Sequence, residues 1–166
     1  MLIRAATEKE FEAIKKQRLS SYKPYSGIIS PEHWEFLRGT LSAKSDQKPG
    51  VKIFVAEVDG EIAGSVVLFP SAANAYEWDS ASTEYPEIRM LAVDPKHRNQ
   101  GIGKALVNQC IKTSRESNYQ FIGLHTGSFM EDAIKLYEGM GFERVPTRDF
   151  TPLNDGITVK AFKLNI

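Results

Sequence analysis

Cysteine is nearly missing from this sequence. Cys110 stands alone, so no internal disulfide can form, and its place on a helical apolar face reads as packing rather than as a nucleophile. Long apolar runs are missing too: no stretch approaches the roughly 18 residues that a membrane span needs. The N-terminal MLIRAATEKEFEAIKKQRL carries acids and no apolar signal region, and the expectation is a cytoplasmic protein without a membrane segment. Neither sign of charge is in excess. Lys and Arg together number 21, as do Asp and Glu, which removes the whole-molecule argument for nucleic acid. The three histidines, His33, His97 and His125, lie too far apart for a metal-binding spacing, so no metal is expected. What remains is an ordinary balance, 42% apolar and 25% charged over 166 residues, which suits one domain across residues 1–166 with a proper core and no repeats.

Periodicity supplies the elements. MLIRAAT reads as a short strand, and Thr7 with Glu10 forms a capping box before a helix carrying Phe11, Ile14 and Arg18. Ser30 and Pro31 open a second helix with Trp34, Leu37 and Leu41 on one face. Asp59-Gly60 between VKIFVAEV and EIAGSVVLF is the signal of a tight antiparallel hairpin. Residues 70–86 read as a loop holding Tyr76, Glu77, Trp78, Asp79, Glu84 and Tyr85. EIRMLAV, a helix from about Gly101 to Glu116 and QFIGLHT form a strand, helix, strand unit, which implies a parallel pair. Ser128 and Glu131 suggest a second capping box for a helix with Ala133, Leu136, Tyr137 and Met140, ended by Gly139 or Gly141. FERV and ITVKAFKL complete a mixed α/β fold.

Arg98, Asn99, Gln100, Gly101, Ile102, Gly103 and Lys104 follow a strand and open a helix. Backbone N–H groups at such an end lack helical partners, and the helix dipole favours negative charge, so a phosphate group is a natural occupant. Lys96, Arg98 and Lys104 add side-chain charge. Two familiar phosphate loops are excluded. A P-loop needs Gly where Arg98 stands and Ser or Thr where Ala105 stands, and a dinucleotide fingerprint needs Gly where Leu106 stands.

Val93, Asp94, Pro95, Arg98, Gly101 and Gly103, followed by a helix with Ala133, Leu136 and Tyr137 and then Gly141-Phe142, resemble the Gcn5-related N-acetyltransferase family. The resemblance implies a single-domain mixed central sheet flanked by helices, the acyl-CoA N-acyltransferase architecture, with acetyl-coenzyme A as cosubstrate. It further implies that backbone groups of Leu91 and Val93 pair with pantetheine amides. Those of Gln100, Gly101, Ile102, Gly103 and Lys104 would hold the diphosphate, with Arg98 and Asn99 in the same loop. A strand distortion near Ala92 or Val93 would free an N–H for the thioester oxyanion. Met130 departs from the family's usual Asn, an amide that contacts the pantetheine arm.

Within this resemblance Glu87 is the expected general base, acting directly or through water, and Tyr137 the expected acid to the departing thiolate. Strand alternation groups Glu87 with Arg89, Leu91 and Val93. A solvated Glu87, or one paired with Arg89, is the plain alternative. His125 is expected to make ordinary hydrogen bonds near the cofactor. The acceptor would be a small-molecule amine or a protein amino group, met by Tyr22, Tyr25, Trp34, the 70–86 loop and the 146–156 loop. Aromatics among Glu77, Asp79 and Glu84 suit a cationic amine. A binding protein for acyl-CoA with little or no turnover, serving regulation or interaction, is the alternative function. Neither nucleic acid nor membrane is an expected partner, and the resemblance favours a homodimer over a monomer.

Overall fold

Strands β1 (Leu2–Ala5), β2 (Lys52–Val58) and β3 (Glu61–Phe69) make an antiparallel meander in which Ile3 faces Ala56 and Phe54 faces Val66. The β2–β3 turn is the predicted one: Asp59 (φ 50°) and Gly60 (φ 80°) both take the left-handed backbone that a two-residue hairpin loop requires. Strand β4 (Glu87–Val93), helix α3 (Ile102–Glu116) and strand β5 (Phe121–Gly127) follow, and β4 and β5 are parallel, with Glu87 opposite Gly123 and Ile88 opposite Leu124. Strands β6 (Glu143–Arg144) and β7 (Val159–Asn165) close the order β1-β2-β3-β4-β5-β7-β6, with β7 antiparallel to both β5 and β6. This computed structural model describes residues 1–71 and 84–166. Tyr76, Glu77, Trp78 and Asp79 lie outside the described residues.

The chain divides into two compact units, Met1–Leu68 with Met90–Cys110, and Phe69–Arg89 with Ile111–Ile166. In the first, helices α1 (Phe11–Tyr22) and α2 (Pro31–Ser42) bury Ile14 and Leu41, and the apolar face of α3 contributes Ile102, Leu106 and Cys110. Gly64 marks the tightest approach: a Cβ there would stand 3.0 Å from the Ala92 carbonyl oxygen and 3.0 Å from Ile102 Cγ2. Arg18, on the buried face of α1, donates to the Leu41 carbonyl and to Asp46, both at 3.1 Å. Asp46 lies in a 3-10 turn, Lys44–Gln47. In the second unit the core gathers Ile88, Ile122, Leu124, Phe142 and Phe162. Helix α4 (Glu131–Gly139) ends in a Schellman motif, with Phe142 N–H on the Tyr137 carbonyl, Gly141 N–H on that of Glu138, and Gly141 at φ 94°.

Two local expectations are corrected. The Thr7–Glu10 box forms as read, but Ser128 does not cap α4; Met130 occupies the cap position, and Ser128 instead exchanges bonds with Thr158. The backbone distortion of β4 is at Met90 (φ 56°), not at Ala92 or Val93, and a left-handed residue inside a strand interrupts the strict alternation assumed for Glu87 to Val93. Glu87, Ile88, Arg89 and Met90 are all buried.

Candidate active site

In the first unit the end of β4 is bound to α1 by side chains. Tyr22 Oη donates to the Leu91 carbonyl at 2.8 Å, Gln17 Nε2 to that of Ala92 at 3.2 Å, and Arg98 Nε to that of Val93 at 3.3 Å. Gln17 also accepts from Ser65 Oγ at 2.7 Å, so α1 is pinned to both β3 and β4. These bonds use carbonyls alone, and they leave the N–H groups of Leu91 and Val93 to other acceptors. Tyr22, expected in the acceptor pocket, is thus buried as a strut for the strand.

Beyond β4 the Asp94 N–H donates to the Ala63 carbonyl at 2.8 Å, and Asp94 Oδ1 caps the short turn Pro95–His97 through Lys96 N–H. Then Asn99 (φ 60°) and Gly101 (φ 79°) turn the chain into α3. Asparagine tolerates this conformation and glycine has no penalty there. A Cβ on Gly101 would meet nothing within 4 Å, so φ, and not crowding, calls for glycine. The Gly101 carbonyl accepts the first helical bond, from Ala105 N at 3.0 Å, which leaves the N–H groups of Ile102, Gly103 and Lys104 as the unpaired first turn of α3. Such a donor set, facing exposed Gly101 and Lys104, fits a diphosphate. The three expected cations differ in availability. Arg98 spends its guanidinium on Val93 and on the Ser21 carbonyl at 2.8 Å, and Lys96 lies 3.7 Å from Glu61, whereas Lys104 is exposed on the first turn of α3.

In the second unit Glu87 is 2% exposed and is neither solvated nor matched to Arg89 in the way anticipated; its Oε2 lies 3.4 Å from His125 Nδ1. His125 Nε2 is 3.2 Å from the Arg148 carbonyl oxygen, and its ring packs at 5.5 Å against Phe150. Asp149 anchors that segment by pairing with Arg144 and by accepting from Ala161 N–H at 2.8 Å, and Phe150 bridges to Val159. Tyr85 lies close over Gly123, where a Cβ would come within 2.4 Å of its Cε2, and the Arg148 guanidinium sits 5.9 Å from the Tyr85 ring centre. Burial pushes the Tyr85 phenol up, against the opposing pull of Arg148. The Glu87–His125 contact was not foreseen. Its only signal was the parallel register: with Glu87 opposite Gly123, His125 stands two residues further along β5.

Tyr137 is buried on α4, its ring 5.8 Å from that of Phe142 and tilted by 62°. At the departed position, Met130 Sδ accepts from Thr126 Oγ1 at 3.5 Å. Cys110 is fully buried, and burial pushes its thiol far up, which fits packing and no nucleophilic part. Among the described residues no group of His, Cys, Asp and Glu could hold a metal, and no helix is long and apolar enough to cross a membrane.

Comparison with known proteins bears on the same elements. The N-acetyltransferase 8 of Rattus norvegicus is 32% identical over 123 residues, 74% of this chain and 52% of that protein. The chain spans about half the length of the curated relatives it matches. A GNAT-family acetyltransferase from Staphylococcus aureus shares the fold with a TM-score of 0.72 at 20% identity, over 99% of this chain and 98% of that one. The PaiA N-acetyltransferase of Thermoplasma acidophilum, solved with coenzyme A, has a TM-score of 0.72 at 17% identity, over 99% and 98% of the two chains. The mixed sheet with helices is therefore the architecture of these proteins, as the motif had implied. The family profile described as "Acetyltransferase (GNAT) family" matches residues 13–142, which takes in most of α1, the Arg98–Lys104 loop and α4, and the chain belongs to that family.

Proposed function

We propose that this chain transfers an acetyl group from acetyl-CoA directly to a primary amine. The observation that carries the reading is the loop from Asn99 to Lys104, whose two left-handed residues lead into an open first turn of α3. Backbone N–H groups of Gln100 to Lys104 bind the diphosphate, and exposed Lys104 adds charge. N–H groups of Leu91 and Val93 bind the pantetheine amides, on a strand end held in place by Tyr22, Gln17 and Arg98. That the relatives are named N-acetyltransferases supports nitrogen as the acceptor atom.

Acetyl-CoA supplies an activated acyl carbon. An alkylamine is mostly protonated near neutral pH, so the chain must first take a proton from it. Glu87 does this, directly or through one water, and the nitrogen keeps the electron pair that forms the new C–N bond. As the C–S bond breaks, the thiolate receives a proton or a hydrogen bond from the Tyr137 hydroxyl. A thiol is a weak enough base, with a reference pKa of about 8.5, that a hydrogen bond goes far. Neither Cys110 nor Ser128 serves as an acyl carrier: the first is inert by burial, and the second is engaged with Thr158.

The test is an amine screen read by thiol release from acetyl-CoA, repeated with Glu87→Gln. Turnover that falls in the variant while acetyl-CoA still binds supports the reading. Binding without turnover on any amine would favour a cofactor-binding regulatory protein instead.

A further inference from the structure

The contact between Glu87 and His125 brings two acceptors together unless a proton lies between them. The Arg148 carbonyl oxygen can only accept, so His125 Nε2, 3.2 Å away, carries a hydrogen. In a neutral ring Nδ1 would then be bare, and it would face Glu87 Oε2 across 3.4 Å. An ionised carboxylate oxygen is also an acceptor only. The His125 and Glu87 side chains are 2% and 3% exposed, and their 3.4 Å approach is an ion-pair distance: Glu87 Oε2 accepts no hydrogen bond of ordinary geometry among the described residues. Imidazole is the stronger base of the two side-chain types, so a proton shared by the pair resides on Nδ1. A buried carboxylate also needs a cation nearby to remain charged. The neighbouring Arg148 cation is stacked on Tyr85, and it is the Arg148 carbonyl that meets His125.

Resting on the reading of Glu87 as the base, we infer that His125 is its positioning residue. His125 is an imidazolium whose Nε2–H is fixed by the Arg148 carbonyl and whose Nδ1–H orients and charge-balances Glu87 Oε2. The other oxygen, Oε1, is then the one that takes the proton of the amine. His125 is not itself the base, because both of its ring nitrogens are committed. The Arg144–Asp149 pair and the Asp149 bond to Ala161 N–H belong to the same device, because they hold the Arg148 carbonyl in place.

Ring-nitrogen shifts of His125, measured by 15N NMR on the whole chain near neutral pH and assigned with His125→Asn, test the pair without any turnover. Both nitrogens protonated is the expected result. A neutral ring protonated on one nitrogen overturns the inference. In turnover, His125→Leu should lower kcat about tenfold or more, a part of what a general base contributes, with KM for acetyl-CoA unchanged. His125→Asn, whose amide N–H can stand where Nδ1–H stood, should recover most of that loss. Equal loss in the two variants, with both folded, would overturn it as well. Glu87→Gln reports separately: full turnover in that variant withdraws the base, while the His125 shifts decide the pair on their own.

Discussion

Glu87 and Tyr137 ask different things of a substitution. Replacing Glu87 with Gln keeps shape and removes the proposed base, so kcat should fall about 10²-fold on an alkylamine while acetyl-CoA affinity, read by calorimetry, stays put. Replacing Tyr137 with Phe keeps the ring against Phe142 and removes only the hydroxyl. Because a thiolate leaves readily, the expected loss is smaller, about tenfold in kcat, and unchanged turnover on an identified amine would withdraw the acid role. Both residues were reachable from the sequence through the resemblance. His125 was seen only as a residue leaving a strand, because its meeting with Glu87 depends on the β4–β5 register. Arg148 and Phe150 come to the same place from a loop whose path no local pattern specifies.

At the scale of elements, the Thr7–Glu10 box does more than start a helix. Glu10 also binds Arg4 of β1, which reaches Glu57 of β2, so one cluster fixes two strands and a helix start. The Arg4 guanidinium beside it holds the Glu10 carboxyl down to about 2, from an ordinary 4.5. A carboxyl depressed on folding contributes stability that is complete above its unfolded value and is lost as pH falls through the folded one. The Glu10 share should therefore fade between those two values, and Glu10→Gln should remove it at neutral pH. Since the Arg4 side chain is 31% exposed and that of Glu10 19%, solvent screening leaves about 1 kcal/mol, measurable by urea unfolding of both chains at neutral and strongly acid pH. The approach of β3 to β4 and α3 gives a second case. Valine at Gly64 would drive a branched side chain into the Ala92 carbonyl, Ile102 and Leu106, and should destabilise the chain by about 1–3 kcal/mol in the same assay. Capping and turn chemistry made Thr7, Ser30, Asp59-Gly60 and Gly141 legible. Ser128 misled because a cap signal is local, while its bonds to Thr158 are made across 30 residues.

For the whole molecule, the strand and helix order could be read from periodicity where an element has a clear apolar face and a turn signal at its ends, as β2, β3 and α3 do, whereas β6 is only the exposed pair Glu143–Arg144. The left-handed Met90 could not, because methionine carries no preference for that backbone and a strand pattern conceals it. The buried Arg18–Asp46 pair was hidden for the opposite reason: charged residues read as surface until a partner is known. Cys110, fully buried, should resist thiol reagents in the native chain and react only on unfolding, an inexpensive check that its helix packs as described.

Every chemical step rests on the loop between β4 and α3 receiving a diphosphate. The most direct test is a calorimetric titration of acetyl-CoA into the folded chain. Saturable binding with one site per chain is expected, weakened at least tenfold by Gly101→Val, because a branched residue is strained at φ 79°. No saturable binding to demonstrably folded protein would contradict it.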